Sequence, residues 1–164
     1  MADDFNLRGI EEMLKNLQKV GSAVAKRAPS MAVRAGSKPI IKSIRNRAPR
    51  QTGSLRKSIG VKVKNYRPSS AVTAIIGARS KSYQTAEGKR NPSLYSHLAE
   101  FGTAPHRLGS QKKIITRRGK KHPGAKAQPF MRPGWDAAAP AAVDATIGKV
   151  KDVFEAEAKK VAVK

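Results

Sequence analysis

Apolar positions recur at helical spacing towards both ends of this chain and at a spacing of two between them. Near the N-terminus, Phe5, Leu7, Ile10, Leu14, Leu17 and Val24 form a helical stripe. Asp3 and Asp4 precede it and Lys26-Arg27 close it, the charge order a helix dipole favours. Ala28-Pro29-Ser30 predicts a break, because proline removes a backbone donor. A second helix is expected from about Ser30 to Arg47 on Met31, Ala35, Ile40, Ile41 and Ile44, kinked at Pro39 and weakened at Gly36. Its polar face carries Arg34, Lys38, Lys42 and Arg45.

The period changes after Arg47-Ala48-Pro49. Pro49 ends the helical part, which occupies residues 5–48, and Gln51-Thr52-Gly53-Ser54 reads as a turn with Gly53 free to take positive φ. From Leu55 an alternation begins. Leu55, Ile59, Val61 and Val63 fall on one side, and Arg56, Ser58, Lys62 and Lys64 on the other. This predicts a strand, then a loop over residues 65–70, then a second, antiparallel strand over Ala71–Ala78, a β-hairpin within 54–78. Residues 79–92 are expected to be a mobile polar loop. Tyr95, Leu98 and Phe101 predict a short helix over 93–102, closed by Gly102. Pro133 is placed to start a long C-terminal helix over 133–162, with Asp136 in its first turn and Val143, Ile147, Val150 and Phe154 as its apolar stripe. Together these elements predict an α+β fold. Two N-terminal helices, a small antiparallel sheet with a long basic loop or hairpin arm, and a long C-terminal helix form one domain over 1–164.

Charge changes this picture most. The 164 residues hold 34 Lys+Arg against 11 Asp+Glu, a formal net charge of +23. Four acids lie in the first twelve residues, none between Met13 and Ala86, none between Phe101 and Trp135, and five after Trp135. Such a chain repels itself and calls for nucleic acid or an acidic protein neighbour. The stretch 104–128 is the basic arm. Arg107, Lys112, Lys113, Arg117, Arg118, Lys120, Lys121 and Lys126 are its cations and the candidate interaction residues. The arm is expected either as a hairpin or as a segment ordered only on contact. A non-specific nucleic-acid-binding protein is the alternative that charge alone supports. Against it, the eight aromatic residues are not interleaved with the basic runs as a stacking platform requires.

Catalytic chemistry finds little purchase. His97, His106 and His122 have no thiolate or carboxylate cluster beside them, and the chain has no cysteine. Glu100 and Glu87 are the only acids in the middle of the chain, and one carboxylate makes no acid–base pair. Glu100 is instead expected to face a basic side chain, Arg132 or Arg47. No phosphate-binding glycine loop is present. The expectation is no enzyme, no metal and no cofactor. No apolar run reaches the ~18 residues a membrane span needs, and the acidic N-terminus does not read as a secretory signal. A protein made and kept in a cytoplasm is expected.

Four short motifs then stand in order: Arg47-Ala48-Pro49, Thr52-Gly53-Ser54-Leu55, Glu100-Phe101-Gly102-Thr103 and Pro129-Phe130-Met131-Arg132-Pro133. Over about residues 5–140 the chain resembles the head–tail joining, or tail-completion, proteins of long-tailed phages, related to the lambdoid minor tail protein Z group. It departs from them in the long gap between Thr103 and Pro129. The resemblance implies a virion protein of the neck or tail that completes the tail end and joins it to the head. It implies a homo-oligomeric ring, hexameric to match the tail, around a lumen through which DNA passes. Its neighbours would be a connector or head-closure ring and a tail terminator or tail tube, with no membrane. Pro49, Gly53, Leu55, Glu100, Phe101, Gly102, Phe130, Arg132 and Pro133 are the expected structural motif residues. Among them Pro49, Gly53, Gly102 and Pro133 set helix ends and turns. Phe101, Phe130 and Trp135 are expected as apolar anchors for the C-terminal helix.

Overall fold

The computed structural model describes residues 7–66, 71–86, 88–107 and 121–162. Its elements are helix α1 (Leu7–Arg47), short helix α2 (Ser54–Ser58), strands β1 (Ile59–Tyr66) and β2 (Ala71–Ala78), β3 (Tyr83–Thr85) and β4 (Gly88–Arg90), helix α3 (Ser96–Phe101), β5 (His106–Arg107), β6 (Lys121–His122) and helix α4 (Met131–Ala162). A single 3-10 turn, Pro92–Leu94, precedes α3. The class is the expected α+β: a long N-terminal helix, a two-stranded antiparallel sheet of β1 and β2, and a long C-terminal helix. The chain forms two compact units, one of residues 1–39, 62–75 and 139–164, the other of 40–61 and 76–138.

The two expected N-terminal helices are one. α1 runs through both Pro29 and Pro39. A proline in a helix interior loses one backbone hydrogen bond and costs about 3 kcal/mol. Packing on either side offsets this. Buried Val20, Ala28, Ala32, Ile40 and Ile44 lie on both sides of the two prolines, and a helix held along its length by tertiary contact does not stop at a local weakness.

In the first unit the helical segments meet through small residues. Gly36 is buried, and a β-carbon there would lie 2.9 Å from the Ala142 carbonyl oxygen and against the Thr146 hydroxyl. Ser37 and Thr146 turn their hydroxyls back onto their own helices, donating to the carbonyls of Val33 (2.6 Å) and Ala142 (2.7 Å). Arg27 donates to Glu157 at 2.9 Å, and Lys160 donates to the same carboxylate oxygen at 2.8 Å. The expected apolar stripe of α4 is therefore not its packed face. Val143, Ile147, Val150 and Phe154 are exposed, as are Leu14 and Leu17 of α1.

In the second unit the strand expected from Leu55 begins later. Ser54–Ser58 is a turn of helix, opened by Gly53 at φ 68°, and β1 starts at Ile59. Leu55 is buried while Ser58 bonds the Leu55 carbonyl, which holds the turn in place. Beyond it the predicted alternation is present, with Val61 and Val63 half-buried and Lys62 and Lys64 exposed. Residues 83–90, expected as part of a mobile loop, contain the small β3–β4 hairpin, Tyr83 pairing with Arg90. α4 begins at Met131, so Pro133 sits inside its first turn rather than opening it. Gly134 packs against α1: an added β-carbon would lie 2.7 Å from Ile44 Cγ1.

Candidate assembly surfaces

The motif residues of the second unit converge on one carboxylate. Glu100 is buried on α3 and accepts three backbone N–H groups from the start of α4, Phe130 at 2.8 Å, Met131 at 3.0 Å and Arg132 at 3.4 Å. A helix N-terminus carries unpaired donors and partial positive charge, so a buried carboxylate there is satisfied without a cation. This corrects the expectation of an arginine side chain. Arg132 contributes its amide, and Glu100 holds the helix in place. Phe130, 1% exposed, is the anchor beside it. Phe101 and Trp135 are not anchors: Phe101 is 81% exposed and Trp135 half exposed. On α3 the buried residue is Glu100 and its neighbour Phe101 faces outward, so the apolar spacing misassigned the inward face. Glu100, Phe101, Phe130, Met131, Arg132 and Asp136 line a cleft of about 790 Å³.

Gly102 then turns the chain. Its φ is 74°, its N–H bonds the Leu98 carbonyl at 2.9 Å, and a β-carbon would meet the Ala125 carbonyl oxygen at 2.6 Å. That close approach starts a ladder. Thr103 and Ala125 exchange backbone hydrogen bonds of 2.9 and 3.1 Å, and β5 pairs antiparallel with β6. His106 and His122 stack at 5.0 Å between ring centroids. Gly124 donates to His122 Nδ1, and His106 Nδ1 bonds the Ala104 carbonyl. The histidines thus stiffen the base of the basic stretch. The arm is rooted as a hairpin at both ends. Lys112, Lys113, Arg117, Arg118 and Lys120 lie outside the described residues, Arg107 and Lys121 are placed by backbone in β5 and β6, and Lys126 is exposed.

The other motifs are also structural in geometry. Thr52 and Ser54 hydroxyls lie 2.7 Å apart, and Ser54 is 2.9 Å from the Tyr95 hydroxyl, which ties the turn to the segment before α3. Pro49 is half-buried, directly after buried Ala48. Arg45, expected on the polar face of the second helix, donates twice to the Ile59 carbonyl (2.6 and 3.2 Å). Arg79 escaped the sequence reading: it covers Gly60 and donates to the Val61 carbonyl at 3.1 Å. The one available signal was Gly60 inside a strand, which marks close approach of another group. Among the described residues no cluster of metal-ligating side chains occurs, and no helix is long and apolar enough to cross a membrane.

Residues 11–102 match the sequence family described as "Bacteriophage HK97-gp10, putative tail-component". This is more than half of the 164 residues, and the chain belongs to that family of phage tail components. The family is one of structural virion proteins. No curated protein and no solved structure matches the chain.

Proposed function

We propose that this protein completes the phage tail and joins it to the head as one subunit of a ring around the DNA channel. Six copies would match the tail. Its neighbours would be the connector or head-closure ring on one side and the tail terminator or tube on the other. The observation that carries this is the rooted arm. A stretch with eight Lys/Arg over 106–128 is fixed at its base by Gly102, the Thr103–Ala125 bridge and the stacked histidines. A basic element on a rigid base fits an acidic surface on a neighbouring subunit or ring. Arg107, Lys112, Lys113, Arg117, Arg118, Lys120, Lys121 and Lys126 are the residues proposed to make that contact. Deletion of 109–119, which leaves the β5–β6 base in place, is expected to leave a folded protein that no longer joins heads to tails. Full joining by the deletion variant would overturn the arm's role.

One observation favours a second reading. Arg34, Lys38 and Lys42 are exposed along α1, a spacing suited to phosphates. Direct contact with DNA in the lumen predicts duplex binding whose log affinity falls linearly with log salt. Absence of binding at about 0.15 M salt would remove it.

A further inference from the structure

The base of the arm is closed by two histidines that hold their protons on opposite ring nitrogens. A carbonyl oxygen can only accept, so His106, whose Nδ1 lies 3.0 Å from the Ala104 carbonyl, carries its proton on Nδ1. A backbone N–H can only donate, so His122, whose Nδ1 takes the Gly124 N–H at 3.1 Å, keeps Nδ1 bare and carries its proton on Nε2. The two rings stack, with 5.0 Å between centroids and 27° between planes. A second proton therefore acts on them unequally. On His106 it goes to Nε2 and spares the Ala104 bond. On His122 it can go only to Nδ1, where it removes the acceptor from Gly124 and sets two donors against each other.

We propose that His122 is a proton-sensitive clasp: with Nδ1 bare it holds the base of the arm closed, and protonation there releases the Gly124 turn and the β5–β6 pairing. The surroundings act in the same direction. Arg107 and Lys121 adjoin the pair along β5 and β6. Arg90 of β4 and exposed Lys126 line the pocket beside Ala125. No acid lies between Phe101 and Trp135, and Glu100, which precedes them, is buried with its oxygens taken by the α4 amides. Among the described residues neither histidine has a carboxylate partner. His106 is exposed and His122 half-buried, so protons reach the pair from solvent. Imidazoles take up protons near pH 6.5. The open base binds one proton more than the closed base, so by linkage closure is favoured above that range and lost as pH falls through it. The clasp fixes the element that the ring reading above assigns to the neighbour contact. On that reading, head–tail joining weakens with it.

Asparagine separates the proton from the hydrogen bond. His122→Asn offers a side-chain oxygen to the N–H two residues on, as in an Asx turn, and does not titrate. His122→Ala has no acceptor. Hydrogen exchange of the Gly124 and Ala125 amides is followed at about pH 7.5, 6.5 and 5.5 and expressed as protection relative to the intrinsic rate at each pH. In the wild-type chain protection is expected to fall by up to about tenfold per pH unit once the imidazole range is passed, the slope of one linked proton. His122→Asn is expected to be flat across the series and His122→Ala low throughout. Imidazole nitrogen shifts of the wild-type chain at about pH 7.5 are expected to show a bare Nδ1 on His122 and a protonated Nδ1 on His106. A wild-type profile without slope, an asparagine variant that falls as steeply as the wild type, or a proton on His122 Nδ1 at the highest pH overturns the clasp. Joining that persists at the lowest pH while protection falls leaves the clasp standing and overturns the arm's role in joining.

Discussion

The two faces of α4 reverse the usual reading of size. Its packed face is Gly134, Ala138, Ala142 and Val153, and its outward face is Val143, Ile147, Val150 and Phe154. Small side chains went inside because the helices approach closely. At Gly36 and Gly134 there is no room for a β-carbon without movement of a neighbour. Close approach gains dispersion contacts between backbones that a larger residue would hold apart. The larger apolar residues are then left exposed. The comparison teaches that the strongest apolar stripe of a helix need not be the face it packs.

The comparison can be broken from the inside first. Phe130→Ala, at the fully buried anchor, is expected to cost about 3–5 kcal/mol, read as a lower urea midpoint. Gly134→Val should cost about 2–3 kcal/mol by forcing α1 and α4 apart at Ile44. If it is neutral, the small-residue seam is not what sets the helix spacing. Glu100→Gln should cost about 2–3 kcal/mol, since its amide nitrogen would face N–H donors in a buried site. A loss confined to the α4 N-terminus by hydrogen exchange would sharpen that assignment. On the outer face, Val143→Ser should change the stability of the isolated chain by no more than about 0.5 kcal/mol. A large loss of monomer stability would mean that the face is packed within the chain after all.

The smallest expected effect is electrostatic. Hydrogen bonding by Lys160 holds the Glu157 carboxyl below the ordinary glutamate range, with the charges of Lys160 and Arg27 acting in the same direction. A carboxyl whose folded pKa is depressed contributes stability above its unfolded pKa of about 4.3. That contribution is lost as pH falls through the folded value. Glu157→Gln should therefore lower stability slightly at pH 7 and leave it unchanged well below the folded pKa. Denaturant midpoints at the two pH values check the sign.

Much of the architecture was legible in the residues. The alternation at Ile59–Lys64 and the run Ala71–Ala78 define β1 and β2, and Gly102 marks the end of α3 by its need for positive φ. What was not legible has physical causes. Pro29 and Pro39 read as breaks because local cost is visible in sequence and the compensating contacts of distant residues are not. The inward face of α4 was missed because hydrophobic spacing weights large residues, whereas this seam is built from alanine and glycine. Glu100 was correctly singled out as the isolated acid of a basic region, but backbone donors have no signature in side-chain identity, so its partner was misassigned. The base of the arm depends on two glycines, Gly102 and Gly124, that bring distant backbones together. Glycine announces a tight approach without naming what approaches.

The measurement that tests the central claim most directly is the solution mass of the purified chain by analytical ultracentrifugation, across a salt series, with and without duplex DNA. The ring account predicts a discrete species near six times 17.7 kDa at about 0.15 M salt that is indifferent to DNA. A 17.7 kDa monomer at every concentration, shifting only when DNA is added and only at low salt, would contradict it. That result would make nucleic-acid binding the protein's principal task.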